Sequence, residues 1–103
     1  MPEIKPPQIG TFVAASYNGN WYIGRVIDVD EDDHDVNVSF MAAASAASVK
    51  PKYKWPKPDD TLWVSSSDII CEVPVPLATG RSERTFVLPD NTHEMIENIH
   101  MTK

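Results

Sequence analysis

The chain has 103 residues, 42% of them apolar, with three Trp, three Tyr and three Phe. That is material for one hydrophobic core, and it excludes two independent domains, because each half would bury too little surface to offset its conformational entropy. Fifteen acidic residues against nine basic ones give a formal net charge of -6, which repels phosphate backbones, attracts cationic partners and excludes a general nucleic-acid coat.

The first residues, MPEIKPPQIG, hold Pro2, Pro6 and Pro7 and no apolar run, so residues 1–9 read as a flexible segment rather than a leader or anchor. Thr11 to Ser16 is apolar and strand-like. Asn18-Gly19-Asn20 then supplies residues that tolerate positive φ, and Trp21 to Val29 resumes with aromatic and β-branched residues, which together predict a hairpin. Asp30 to Asp35 is an acidic turn. After it Val36, Val38 and Phe40 alternate with Asn37, Ser39 and Met41, the period of a half-buried third strand.

Ala42 to Ser48 (AAASAAS) has no bulky side chain to pack and predicts a mobile loop or a short helical turn. Val49 to Asp60 interleaves prolines and aromatics with Lys50, Lys52, Lys54 and Lys57. Leu62 to Val64 and Ile69 to Val73 predict two short closing strands, five in all. Pro74 and Pro76 cannot donate ladder hydrogen bonds, so the expected divisions are a folded domain over 10–76 and a C-terminal extension over 77–103. In that extension Thr85 to Leu88 predicts one more edge strand. Met95, Ile96 and Ile99 share a helical face and predict a helix over 91–101. Asn91 and Glu94 have capping-box spacing, which starts that helix near residue 92.

Several clusters invite chemistry. The acidic run Asp28 to Asp35 suggests calcium, but counting from Asp28 the EF-hand glycine and glutamate places hold Asp33 and Ser39; a solvated turn that steers a basic peptide fits better. Lys50, Lys52 and Lys54, with Tyr53 between them, have the composition that single-stranded nucleic acid uses for phosphate contact and base stacking. His93, Glu97 and His100 lie on one helical face, explained by a polar surface without a metal. Trp55 and Trp63 read as rim or core. Cys71, the single cysteine, sits in the apolar run Ile69-Ile70-Cys71-Glu72-Val73, where a thiolate is disfavoured, and it cannot close an internal disulfide; a reducing, intracellular compartment follows. No stretch reaches the roughly 20 apolar residues of a spanning helix, so no membrane partner is expected. With no glycine-rich phosphate loop and no G-x-S-x-G turn, the expectation is a non-enzyme without cofactor or metal.

The segment from Gly10 to Asp30 (GTFVAASYNGNWYIGRVIDVD), Val36 to Met41, and Ser67-Asp68-Ile69-Ile70 together resemble the first, second, third and last strands of a Tudor domain. The resemblance implies an all-β fold, a five-stranded SH3-like barrel followed by the short extension that ends in a helix. It also implies a nuclear, chromatin-associated reader of a basic or methylated protein tail, in which aromatic faces surround the methylated lysine or arginine. By position the cage candidates are Tyr17, Tyr22 and Phe40. Where such readers bring a further aromatic, this chain has Met41, Ala42, Ala43, Ala44 and Ser45, leaving Trp55 or Tyr53 as the remaining wall. The alternatives are nucleic-acid binding through the 50–57 loop and a scaffolding role, with self-association through the rim or through Met95, Ile96 and Ile99; the oligomeric state stays open.

Overall fold

The structure is a computed structural model that describes residues 7–45, 52–79, 85–89 and 91–102. In chain order the strands are β1 (Phe12–Tyr17), β2 (Asn20–Asp30), β3 (Asp35–Phe40), β4 (Ala42–Ser45), β5 (Lys52–Lys54), β6 (Asp60–Ser65), β7 (Ile69–Val73), β8 (Leu77–Thr79) and β9 (Thr85–Val87). A 3₁₀ turn, Ser66–Asp68, joins β6 to β7, and helix α1 (Thr92–Thr102) follows β9. That helix is not long and apolar enough to cross a membrane.

The strands form two antiparallel sheets, ordered β6-β3-β2-β1-β7 and β4-β5-β9-β8. The five strands expected from the sequence are the five strands of the first sheet. The fold is mostly β, as expected, in two open antiparallel sheets, the second of four strands beside the first. One expectation about an edge is corrected. Thr85–Val87 is not at an edge, because it pairs with both β5 and β8.

The β1–β2 hairpin follows from its turn residues. Asn18 at φ 52 and Gly19 at φ 81 are both left-handed, the pairing required by a two-residue turn whose twist matches the strands. Tyr17 then faces Asn20 and the register runs without a break to Phe12 opposite Arg25.

Alternation along the first sheet sends its side chains to two hydrophobic clusters. One holds Val13, Ala15, Val26, Val36, Val38, Phe40 and Val64, with Val29 and Ile69 against it. Both edge strands, β6 and β7, contribute to this cluster, so the sheet curls around it. The other holds Ala14, Ile23, Met41, Ile70, Val73, Leu88 and Ile96, flanked by Phe12, Trp21, Tyr53, Trp55, Phe86 and Ile99. The expected single core is thus divided between the two faces of one sheet. Each fully buried side chain such as Ile23 or Ile96 contributes roughly 1.5–3 kcal/mol of transfer free energy.

Met41 is the pivot between the sheets. Its amide donates to the Ile23 carbonyl at 2.9 Å, its side chain turns into the second cluster, and the chain continues as β4. The expected loop or helical turn over 42–48 is therefore corrected for 42–45: Ala42 lies opposite Lys54 and Ala43 opposite Tyr53. A partner strand, not local preference, decides the conformation of an alanine run; residues 46–48 lie outside the described residues.

The helix starts at Thr92, where the capping-box spacing places it. Asn91, however, has φ 70, whereas a capping-box residue is extended. The chain instead turns through a left-handed Asn whose carbonyl accepts from the Met95 amide at 3.0 Å. Ile96 is fully buried and Ile99 packs beside it, while Met95 is exposed. Two of the three residues expected on a self-association face, Ile96 and Ile99, are thus packed in the second cluster.

Candidate functional site

The hairpin register decides where the sequence-nominated aromatics stand. Ala15 faces Tyr22 and Tyr17 faces Asn20, which makes Tyr17 and Tyr22 diagonal neighbours on one face. Gly24 faces Phe40, so Phe40 projects from that same face one step along. The Tyr22 and Phe40 rings meet edge-on, with centroids 6.3 Å apart and planes at 77°, a favoured aromatic geometry. Phe40 is only 6% exposed, whereas Tyr17 is 50% and Tyr22 40% exposed. Phe40 is thus a buried ring beside the exposed Tyr22, and Tyr17 stands one diagonal step further on. Gly24 makes room for it: a Cβ there would collide with Val38 Cγ1, lie 2.8 Å from the Ser39 carbonyl oxygen and 3.1 Å from Phe40 Cδ1.

Trp55 and Tyr53 do not reach this rim. Trp55 packs on Phe12, centroids 6.1 Å apart, and both flank the second cluster, on the other face of the sheet. Because Met41 also turns into that cluster, the rim beyond Phe40 is bordered by alanine.

The lysine-aromatic segment is a strand for three of its residues. Lys52 and Lys54 are exposed on β5, and Tyr53, between them, is half-buried opposite Phe86. Burial, and then the nearby Glu97 carboxylate, push the Tyr53 hydroxyl above its ordinary value. Its ring is committed to the cluster, so the described strand presents charge without a stacking face. Lys50 lies outside the described residues.

The polar face of α1 serves packing. Trp21 Nε1 donates to Glu97 Oε1 at 2.9 Å, His93 meets the Trp21 ring edge-on at 5.1 Å, and His100 Nε2 donates to the Gly19 carbonyl at 3.1 Å. All three residues fasten the helix to the β1–β2 hairpin. Cys71 is half-buried against the second cluster.

Sequence reasoning did not bring Trp63 and the acidic run together, but the structure does. An open groove of about 670 Å³ is lined by Ile9, Asp28, Val29, Asp30, Glu31, Asp32 and Trp63. Trp63 is 47% exposed. In register it stands beside Asn37, which stands beside Asp28, and the Asn37 Oδ1 atom is buried there without a partner among the described residues. The acidic turn at its end is ordered: Asp30 Oδ1 accepts from the amides of Asp32 at 3.0 Å and Asp33 at 3.2 Å. The signal for Trp63 was available in principle, because a buried Val64 forces its neighbour outward. The signal for Asp28 was not, since its direction depends on a register shift between Val26 and Asp28.

No protein-family model matches the sequence, and no curated protein or solved structure matches it.

Proposed function

We propose that this chain is a non-enzymatic, Tudor-like binding module that docks a basic, methylated lysine or arginine side chain of a protein tail on the rim formed by Tyr17, Tyr22 and Phe40. The observation that carries this reading is the exposed Tyr22 ring standing edge-on against the buried Phe40 ring, with the exposed Tyr17 as the diagonal neighbour of Tyr22 on the same face. A cation over such rings gains about 0.5–2 kcal/mol per well-placed contact, more as water is excluded. Methylation favours this environment because it makes the cation bulkier and more weakly hydrated. The net charge of -6 steers a basic tail toward the surface.

The SH3-like part of the proposal is supported by the five family-like strands lying in one sheet that curls about a single valine-rich cluster. Nuclear, chromatin-associated placement belongs to the same proposal and follows from the Tudor resemblance. The lysine strand β5 supports nucleic-acid binding less well, because Tyr53 is turned inward and the summed charge is negative.

The test is a chemical-shift titration with lysine and arginine peptides in unmethylated and methylated forms. Tighter binding of a methylated form, with shifts at Tyr17, Tyr22 and Phe40, is expected. Tyr22→Ala should weaken it about 3- to 30-fold while Tyr22→Phe, which keeps the ring, retains most of it. Equal binding of all forms overturns methyl recognition, and shifts that avoid these residues overturn the rim.

A further inference from the structure

We infer that the free edge of β6, with the acidic groove beside it, is a second docking surface, for an extended basic segment of a partner protein. Strand β6 ends the five-stranded sheet, so among the described residues one side of its backbone has no strand neighbour. The N–H and C=O groups on such a side are a template for an added strand. Asp60, Thr61, Leu62 and Trp63 are all exposed, as an edge strand's residues are.

An added strand directs alternate side chains to each face of the sheet. Those on the outer face meet the Trp63 indole, which lines one groove with the carboxylates of Asp28, Asp30, Glu31 and Asp32. Lysine and arginine suit both features, since the aliphatic stem lies along the indole while the charged head extends toward the carboxylates of Glu31 and Asp32 that share its groove. Among the described residues that line the groove there is no Lys, Arg or His, so this charge is left for a partner to match.

Complementarity also selects among occupants. A phosphate-bearing strand meets four like charges. A second copy of the chain brings its own acidic groove to the same edge and carries the same -6. A basic segment is the occupant that gains from both the edge and the groove. This surface lies outside the tyrosine rim, so either can fail without the other.

The test titrates the full chain with a synthetic peptide in which Lys alternates with Thr, and with a Glu–Thr peptide of equal length. The Lys–Thr peptide should shift the amides of Thr61 to Ser65 and the Trp63 indole and slow hydrogen exchange along β6. Trp63→Ala should weaken binding about 3- to 30-fold, and it leaves both buried clusters intact because Trp63 belongs to neither. Neutralising Glu31 and Asp32 together (Glu31→Gln, Asp32→Asn) should weaken it most at low salt. Equal binding of the Glu–Thr peptide, shifts confined to Tyr17, Tyr22 and Phe40, or β6 shifts that follow protein concentration without peptide would each overturn the inference.

Discussion

Gly24 holds the rim together by what it lacks. Its missing Cβ lets Phe40 and Val38 close over β2, and besides the Val38 side chain the obstacles to a Cβ include backbone, the Ser39 carbonyl oxygen, which cannot rotate away. Gly24→Ala should therefore cost about 1–3 kcal/mol, the usual range for forcing atoms into a packed site, read as a lower urea midpoint, and it should disturb the Tyr22 and Phe40 ring resonances. A wild-type midpoint in the variant would mean that the strand shifts freely and that the close approach is unimportant. At this scale much was legible. The directions of Tyr17, Tyr22 and Phe40 follow from strand alternation once the Asn18-Gly19 turn sets the register. The destination of Trp55 was not legible, since its partner, Phe12, lies more than forty positions away and only packing brings the two rings together.

Two elements depart from local expectation for the same reason. In β2 the register shift between Val26 and Asp28 leaves Ile27 as an extra residue. Val26 and Val29 then both face the valine-rich cluster, opposite Val38 and Val36, while Asp28 is turned outward beside Asn37. Strict alternation would have sent Asp28 inward, where an unpaired carboxylate is costly; the bulge resolves the conflict and in doing so lines the groove. In β4 an alanine run with no strand preference pairs with β5 because Met41 anchors the crossing. The helix obeys its apolar period, but its polar face is fastened by Trp21, His93, Glu97 and His100. Removing the indole's acceptor with Glu97→Ala should cost about 1.5–3 kcal/mol, as for a hydrogen bond to a charged group. Glu97→Gln, which retains an accepting oxygen, should lose less. Denaturation midpoints together with the Trp21 indole proton shift check this, and equal losses in the two variants would assign the cost to packing rather than to the bond.

The whole molecule couples its parts through the second cluster, where the first sheet, the second sheet and α1 meet. Tyr53 reports on that junction. Its hydroxyl is raised by burial and then by Glu97, so the native state holds the proton more tightly than the unfolded chain does. The associated stability is fully present below the unfolded value of about 10 and is lost as pH rises through the higher native value. Urea unfolding across that alkaline range should show stability falling more steeply in the wild type than in Tyr53→Phe; parallel curves would mean that the hydroxyl is not held in the cluster. By itself the sequence determined the five strands of the first sheet, the left-handed hairpin turn and the onset of the helix, because period, turn residues and apolar spacing act over a few neighbours. Only the tertiary structure decided that the core divides between two faces, that an alanine run becomes a strand, that Trp55 leaves the rim, and that Trp63 and Asp28 share a groove. Each of those outcomes rests on a strand pairing or a bulge, and these gain their free energy from residues far apart in the chain.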